Sequence, residues 1–414
     1  MEIKITKFGG SSVRNAQRIK QISRVFRKIG GKKKFIIVSA IGNTTNFLES
    51  LIKKSFLKKN IYKVYKNHMK ILYDLFTISN NFFNKIDIFF SDLKVFLKKD
   101  KFKVDFIYDQ VSSQGELIST KIISEYLHCI GIENIWLDVR KSISTNKIYR
   151  SGIIDCTKSF SKIYYLNRFI LDRLNLAQGF IGSDFNYFTT TLGREGSDYS
   201  SSIFASLLEA KSKIIFKEVP GIINSDPWFF SNSRLLYSIS YAGSVEFSYY
   251  GASFIHTKTL VCIQKRKIKL HFFSFLMNEK FGTSVRSIKK FPKNLPYFFK
   301  KNHILLSFYS IDLFFIKNEY IVRIFQYLSF SILRVHFMKN FSLKLTLSIE
   351  DNFHKMETFF SLFKKKYQIK FDERIYLYTI KNFDIFYIGE FTGIINIIYH
   401  KIKNGIVQLA RKTD

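Results

Sequence analysis

The fold class of this chain is decided by one stretch near its start, Ile3-Lys4-Ile5-Thr6-Lys7-Phe8-Gly9-Gly10-Ser11-Ser12-Val13. Ile3 and Ile5 alternate with polar residues, which is the period-two pattern of a strand. A Gly-Gly turn follows, and then two serines of the kind that open helices. From Val13 to Ile29, apolar residues recur every three or four positions and predict one buried helical stripe.

The next apolar run completes a strand-helix-strand unit. It is Phe35-Ile36-Ile37-Val38, short and wholly apolar, as a buried parallel strand is. Further runs of this kind lie at residues 134–139, 176–182 and 212–216, each followed by a glycine turn or a helical pattern. Short connections between strands and helices predict an α/β domain with a parallel sheet. We expect this domain to occupy residues 1–290.

The pattern of predicted strands and helices changes after this domain. Pro292 and Pro296 open a basic stretch, and we interpret the segment up to Asn302 as a linker. The pattern then predicts strand, helix, strand, strand, helix and strand, in turn Ile304–Phe314, Glu319–Leu328, Ile332–Phe337, Leu343–Ile349, Asn352–Lys365 and Ile375–Ile380. This βαββαβ order is ferredoxin-like. Residues 385–414 are expected to supply at most one strand and one short helix.

Composition narrows the function classes. The 414 residues are 46% hydrophobic, which excludes intrinsic disorder as the main state. The net charge of +34 suggests a nucleic-acid partner, but lysines far outnumber arginines and the charge is spread evenly along the chain. We therefore favour compositional drift over a selected polyanion surface. No cleavable signal or long apolar run is present, and three scattered cysteines suit a reducing cytosol, so we expect a cytoplasmic protein without a membrane or nucleic-acid partner.

The first turn has the character of a phosphate site. Glycines after a strand let the backbone approach a phosphate, and the following helix N-terminus offers free N–H groups. Lys7 adds a positive charge at the strand end. The pattern is neither a Walker A loop nor Gly-x-Gly-x-x-Gly. An ordinary left-handed turn remains the alternative.

Three later segments carry polar side chains suited to a small ligand. Ser39 ends the second strand, and Thr45 lies where the next helix opens. Glu116, expected just after a glycine turn that precedes a helix, is able to hold an ammonium group. The segment 189–200 combines Arg194 and Asp198 with small hydroxyl residues. Helix capping, a first-turn glutamate that complements the helix dipole and a solvated loop are the alternative explanations.

Taken together, these segments resemble aspartate kinases of the amino-acid kinase superfamily over about residues 1–285. The matching motifs occur in order: Lys-Phe-Gly-Gly-Ser-Ser-Val at 7–13, Ser-Gln-Gly-Glu at 113–116, Gly-Phe-Ile-Gly at 179–182, Thr-Thr-Thr-Leu-Gly-Arg-Glu-Gly-Ser-Asp-Tyr at 189–199, and Val-Pro-Gly-Ile at 219–222. The resemblance implies a three-layer α/β/α sandwich. It also implies ATP-dependent phosphorylation of the side-chain carboxylate of L-aspartate to 4-phospho-L-aspartate, with Mg²⁺, as the first step towards lysine, threonine, methionine and diaminopimelate.

The resemblance also implies roles for individual residues. Lys7 and Asp198 match the catalytic positions. The positions that handle ATP phosphates are matched by Lys7, Gly9, Gly10, Ser11 and Ser197. The positions that hold aspartate are matched by Ser39, Thr45, Glu116 and Arg194. No residue is assigned as a resident metal ligand. An amino-acid kinase with a different carboxylate acceptor, and a decayed non-catalytic homologue, remain the alternative functions.

The departures from the family pattern lie on the nucleoside side and at the carboxyl end. The nucleoside-side positions carry unusual residues here, namely Lys217, Glu218, Ile223, Trp228 and Ser253. Family members usually have Thr-Asp at the first two of these positions and lysine at the last. Two ACT modules usually follow the kinase domain. Here we expect one ACT-like module at 303–381, a remnant of a second at 382–414, and a homodimer through the intact module.

Overall fold

The computed structural model describes most of the chain. The described residues are 3–28, 33–52, 57–76, 81–97, 102–169, 173–225, 233–250, 254–276, 282–287, 297–311, 316–330, 333, 335–350, 363, 367–381, 397–403 and 406–412. They divide into two compact units. The first consists of residues 1–222, 235–248 and 253–291, and the second of residues 223–234, 249–252 and 292–414.

The first unit is built on an eight-stranded sheet in the order β3-β4-β2-β1-β7-β9-β10-β8. Its strands are β1 (Ile3–Phe8), β2 (Lys33–Val38), β3 (Asn134–Leu137), β4 (Leu174–Gln178), β7 (Ser212–Lys217), β8 (Ser238–Ser240), β9 (Lys269–Ser274) and β10 (Gly282–Arg286). β9 and β10 pair antiparallel, and the other neighbours pair parallel. A separate hairpin joins β5 (Ile181–Ser183) to β6 (Thr189–Thr191). The expectation of an α/β domain with a parallel-rich sheet is confirmed.

Helices cover this sheet. They are α1 (Ala16–Lys28), α2 (Thr44–Leu51), α3 (Leu57–Leu75), α4 (Asn81–Leu97), α5 (Val104–Cys129), α6 (Cys156–Phe169), α7 (Gly196–Leu207), α8 (Tyr241–Tyr250) and α9 (Thr257–Lys265). The apolar stripe predicted from the first stretch is buried in α1 and packs on the sheet through Phe26, whose ring lies 5.1 Å from that of Phe8. Phe8 in turn stacks on Phe216 of β7 at 4.8 Å. No helix in the described ranges is long and apolar enough to cross a membrane.

One sequence expectation in this unit is wrong. Residues 112–116 do not form a glycine turn before a helix, because they lie in the middle of α5. Gly115 is needed there for packing. A Cβ on it would lie 3.1 Å from the Thr44 methyl group and 3.2 Å from the Ala40 Cβ, so a larger residue would push these neighbours away by a few tenths of an ångström. Glycine inside a helix costs about 1 kcal/mol in propensity, which the close contact offsets.

The second unit contains a six-stranded antiparallel sheet in the order β12-β13-β11-β14-β16-β15. Its strands are β11 (Tyr297–Ser310), β12 (Val335–Asn340), β13 (Lys344–Glu350), β14 (Tyr367–Lys381), β15 (Ile397–Lys403) and β16 (Ile406–Lys412), and helix α10 (Asn318–Phe330) follows β11. The helix expected over Asn352–Lys365 lies outside the described residues except for Phe363. The residues Ile304, Leu306, Leu345 and Leu347 belong to the core of this unit.

Two expectations for the second unit are wrong. The linker does not reach Asn302, because β11 already begins at Tyr297, and a run of three aromatics suits a strand. Pro292 and Pro296 lie outside the described residues. In its described residues the carboxyl end supplies two strands, whereas at most one strand was expected. Lys403 pairs with Ile406, and the two residues between them in sequence are Asn-Gly, the dipeptide most typical of a tight hairpin.

Candidate active site

Lysine side chains converge on one face of β1 and β7. Lys7 pairs directly with Ile215 across the parallel ladder, so both side chains point to the same face of the sheet. Lys213 and Lys217 lie two positions before and after Ile215 on β7 and share that face. Lys7 and Lys217 stand near the carboxyl ends of their strands, where ligands of open α/β sheets bind. The sheet therefore presents two cations at its ligand-binding edge and a third further inside.

Lys7 is paired with Asp198. Its ammonium nitrogen lies 2.6 Å from Oδ1 of Asp198, and the two side chains are only 10% and 7% exposed. Asp198 lies in the first turn of α7. Burial raises the pKa of this carboxyl, but the charges of Lys7, Lys217 and Lys213 outweigh burial and hold the pKa below its usual range. Asp198 is therefore an ionised carboxylate that fixes the position of Lys7.

Lys213 has a different environment. It is fully buried, and its ammonium donates hydrogen bonds to the backbone carbonyl of Asp198 and to the hydroxyl of Ser202, both at 2.7 Å. Burial lowers the pKa of Lys213 to about 7. This residue ties the first turn of α7 to β7. The sequence reasoning missed it, although a lysine inside an otherwise apolar strand is itself a signal, since lysine is almost never fully buried without a partner.

Glu116 lies in the same region, on α5. It is 3% exposed, and the backbone groups of Ala40 and Gly179 and the hydroxyl of Ser197 interact with it. Burial raises the pKa of Glu116 to about 8, although those groups and the charge of Lys7 act in the opposite direction. Its Oε2 atom is buried and has no hydrogen-bond partner among the described residues. An unpaired buried acceptor is costly, and a ligand ammonium group would satisfy it.

Two glycines let the loops around these side chains approach each other. A Cβ on Gly179 would lie 2.5 Å from the Cβ of Ser197, and a Cβ on Gly10 would lie 2.8 Å from the Ala40 carbonyl oxygen. Neither contact is possible for a larger residue without backbone movement. The Gly9-Gly10 turn therefore packs against the end of β2, and the loop after β4 packs against the start of α7.

The remaining residues assigned to the aspartate site have separate surroundings. Arg194 is exposed, on the loop that joins β6 to α7, and no described contact links it to Glu116. The backbone N–H of Ser39 donates to the Phe8 carbonyl at 3.1 Å, which places Ser39 next to the end of β1. Thr45 is half-buried in the first turn of α2. Ser11 is exposed on the turn after β1, and Gly9 lies beside the Lys7 ammonium, with its Cβ position 3.6 Å away.

The residues assigned to the nucleoside side do not form one described cluster. Lys217 interacts with the charges of Asp198 and Lys7. The carboxylate of Glu218 lies 3.5 Å from Arg14 and 3.6 Å from Arg18, both close to the start of the chain. Ile223 belongs to the second compact unit. Trp228 and Ser253 lie outside the described residues, so their roles stay predictions.

A further buried carboxylate, on α5 two helical turns before Glu116, was missed. Asp109 is fully buried. It accepts hydrogen bonds from the backbone N–H and the hydroxyl of Thr191, at 2.9 and 2.6 Å, and from the backbone N–H of Arg150 at 2.9 Å. Burial raises the pKa of Asp109 to about 6. Asp109 and Glu116 are seven residues apart, so they lie on one face of α5. The spacing would have revealed this if the sequence had predicted a helix that begins before Asp109.

Comparison with protein families gives one match that covers most of the chain. Residues 2–274 match the model of the amino acid kinase family. This segment contains β1 to β9 and all the site residues described above.

Curated relatives share moderate sequence identity with the chain. Lysine-sensitive aspartokinase 3 of Escherichia coli is 27% identical over 323 residues, which cover 75% of this chain and 70% of the relative. The chloroplastic bifunctional aspartokinase/homoserine dehydrogenase 2 of Arabidopsis thaliana is 28% identical over 280 residues, 64% of this chain and 30% of the relative. The chain therefore spans about a third of the length of such bifunctional relatives.

Solved structures with similar folds include Escherichia coli aspartokinase III in complex with aspartate and ADP. It has a TM-score of 0.82 at 22% identity, and the match covers 99% of this chain and 96% of that one. The aspartate kinase of Clostridium acetobutylicum has a TM-score of 0.75 at 20% identity, with 99% and 96% covered. These matches show that the fold described above is shared along nearly the whole length of both proteins.

Proposed function

The chain belongs to the amino acid kinase family, and on that premise we propose that it is an aspartate kinase. It would transfer the γ-phosphoryl group of ATP to the side-chain carboxylate of L-aspartate and release 4-phospho-L-aspartate and ADP. The observation that carries this proposal is the convergence of Lys7, Asp198 and Glu116 at the carboxyl ends of β1 and β2. It combines a cation for phosphate with a buried acceptor for an ammonium group.

The acceptor half of the site suits an amino acid. The unpaired Oε2 of Glu116 would accept a hydrogen bond from the aspartate ammonium group. Arg194 is exposed and has no ion pair within the described part of the chain, so its guanidinium is available for a carboxylate. The hydroxyls of Ser39 and Thr45 would contribute further contacts. In this arrangement, the ammonium group and one carboxylate of aspartate are recognised before phosphoryl transfer begins.

The phosphoryl half of the site needs no covalent nucleophile, because the acceptor is itself a carboxylate. Phosphoryl transfer is accelerated mainly by alignment and by neutralising charge on the phosphate oxygens. Lys7, held by Asp198, supplies one such charge at the strand end. Backbone N–H groups of the Gly9-Gly10-Ser11 turn and the hydroxyl of Ser197 would bind further oxygens.

Magnesium fits this site as an ion carried in with the nucleotide. The described residues contain no group of three or more His, Cys, Asp or Glu side chains that could hold a metal by themselves. Mg²⁺ usually takes one or two protein carboxylates together with substrate phosphates. Asp198 is the ionised carboxylate that would contribute, and when bound the ion neutralises and orients phosphate oxygens.

The test is an ATP- and Mg²⁺-dependent assay that traps aspartyl phosphate with hydroxylamine. We expect hydroxamate with L-aspartate and none with glutamate, N-acetylglutamate or carbamate. In Lys7→Ala we expect kcat to fall far more than aspartate binding weakens, since the lysine charge matters most in the transition state. Lys4→Ala is the matched control, because it removes the same charge from the opposite face of β1. Product with another acceptor, or no ATP turnover at all, would contradict the proposal and favour the two alternative functions.

For the second unit we propose an ACT-like module at 303–381 that holds a homodimer together. The strand order β12-β13-β11-β14, with helix α10 between β11 and β12, supports this assignment. The hairpin of β15 and β16 joins the same sheet through the pairing of β16 with β14, and we assign it to the remnant of a second module. The kinase domain would occupy residues 1–290, in the cytoplasm. Sedimentation of the purified chain, with and without residues 397–412, tests the dimer.

A further inference from the structure

Lys217 is a second cation at the phosphoryl edge of the site, and its surroundings differ from those of the other two lysines. It is the last residue of β7, and it shares the sheet face of Lys7 and Lys213. Its ammonium donates a hydrogen bond to the backbone carbonyl of Phe254 at 2.6 Å. Since an ammonium group has three N–H donors, two remain after this contact.

The three lysines are therefore not equivalent. Lys7 is committed to Asp198 through a close ion pair. Lys213 is sealed from solvent between two neutral acceptors, which gives it a purely structural position. Lys217 is only half-buried, and no carboxylate lies within ion-pair distance of it among the described residues. Its ammonium also lies 5.8 Å from the centre of the Phe272 ring. Lys217 thus differs from Lys7 in having no ion pair in the described part of the chain, and from Lys213 in being reached by solvent and therefore by a ligand.

The charges around Lys217 come from α7, from the loop before it and from β1. Asp198 and Glu195 favour its charged form, whereas Lys7 disfavours it. Burial lowers the pKa of Lys217 from its ordinary value, and this effect is the largest. A half-buried amine beside another cation gains most from an added anion, because the anion restores the stabilisation that water would otherwise supply. Phosphate oxygens bound by Lys7 would be such an anion.

We propose that Lys217 binds the transferring phosphoryl group together with Lys7 and neutralises the charge that builds on it. This inference rests on the proposed function, and it assigns to catalysis a residue first grouped with the nucleoside side. The resemblance to aspartate kinases implies threonine at this position and lysine at the position of Ser253, whereas this chain has lysine at 217 and serine at 253. Lys217 hydrogen-bonds the carbonyl of the residue that directly follows Ser253, so the positive charge stays near the same point of the chain.

The experiment compares Lys217→Met with Lys217→Arg and with Lys269→Met, which removes an exposed lysine from the neighbouring strand β9. Loss of a single charge-stabilising donor typically lowers kcat by about 100-fold or more. We expect this loss in Lys217→Met, with the aspartate KM changed less than about threefold. Binding of Mg·AMP-PNP, a non-hydrolysable ATP analogue that keeps the γ-phosphoryl group, should weaken about tenfold. Lys217→Arg should recover most of the activity, and Lys269→Met should behave like the unmodified chain.

A structural role for Lys217 would give a different result. Lys217→Met would then lower the melting temperature and raise both KM values, and Lys217→Arg would not recover kcat. An unchanged kcat in a folded Lys217→Met protein would also overturn the proposal. Calorimetric binding of Mg·AMP-PNP is independent of the acceptor. If this binding depends on Lys217 but the unmodified chain does not phosphorylate aspartate, then the acceptor assignment has failed and the phosphate assignment stands.

Discussion

Asp109 accepts both the backbone N–H and the hydroxyl of Thr191, at 2.9 and 2.6 Å, inside a fully buried environment. Thr191 ends strand β6, and Arg194 follows three residues later on the loop to α7. The same carboxylate also accepts the backbone N–H of Arg150. Asp109 therefore anchors, from the helix that carries Glu116, the segment that carries the proposed aspartate-binding arginine.

We predict that Asp109→Asn lowers kcat/KM for aspartate by about tenfold, because an amide cannot accept all three hydrogen bonds. Hydrogen bonds to a charged group contribute about 1.5–3 kcal/mol each when buried, so the free energy of unfolding should also fall by about that amount. Steady-state kinetics and urea denaturation measure the two effects. Asp105→Asn, an exposed change one turn earlier on α5, is the control. Wild-type kinetics in Asp109→Asn would show that this anchor does not position the site.

A second prediction concerns proton release on substrate binding. Burial raises the pKa of Glu116 to about 8, so without a ligand the side chain holds a proton at pH 7. An ammonium group favours the ionised carboxylate, and aspartate binding should therefore release close to one proton at pH 7. Calorimetry in two buffers of different ionisation enthalpy measures this release. Glu116→Gln should bind aspartate weakly and release none.

The raised pKa of Glu116 also makes the free energy of unfolding depend on pH, in a direction that can be worked out. In the unfolded chain Glu116 titrates at its ordinary pKa near 4.5, whereas the folded chain keeps the proton up to about pH 8. The folded state therefore binds more protons in this window, and this group's contribution to stability is full below pH 4.5 and is lost as the pH rises to about 8. Consistently, the aspartate KM should decrease between pH 6 and 8. A KM that increases over this range would contradict the assignment of Glu116 to the ammonium group.

The third prediction concerns Arg194. Arg194→Lys keeps the charge but loses the planar pair of donors that fits a carboxylate. We expect the aspartate KM to rise by one to two orders of magnitude, about 1.4–2.8 kcal/mol, with little change in ATP binding. Because Arg194 is exposed, we expect an unchanged melting temperature, and a thermal melt serves as the control. An unchanged KM would remove Arg194 from the aspartate site.

The sequence was sufficient for the strand-helix-strand unit, because its apolar periodicities are strong and its turn is marked by glycine. It was insufficient where packing between distant elements determines the local structure and the hydrogen-bond partners of a residue. Gly115 is typical of a turn in the sequence, yet it lies inside α5, where Thr44 and Ala40 leave little room for a Cβ. Lys213 and Asp109 were missed for a related reason, since their partners are far away in the sequence and become neighbours only when β7, α7 and β6 pack together.

The fourth prediction concerns the choice of nucleotide. The resemblance implies aspartate at position 218, where this chain has glutamate, and the Oε1 atom of Glu218 is ion-paired with Arg14 and Arg18. That atom is buried, so it is shielded from a nucleoside. We expect kcat/KM for MgATP and MgGTP to differ by less than about tenfold, which is about 1.4 kcal/mol. A preference for ATP above about a hundredfold would mean that other groups restore base recognition.

The last prediction concerns feedback by amino acids. Inhibition requires an effector that binds two global states with different affinity. The resemblance to aspartate kinases implies that such sites lie between complete ACT modules. Here β15 and β16 extend the sheet of the first module through β14, instead of building a separate sheet in the described part of the carboxyl end. We therefore expect lysine or threonine at about 10 mM to inhibit less than about twofold, a coupling below about 0.4 kcal/mol. Initial-rate measurements at subsaturating aspartate are the test. Saturable inhibition by lysine below millimolar concentration would show that the six-stranded sheet itself holds an effector site.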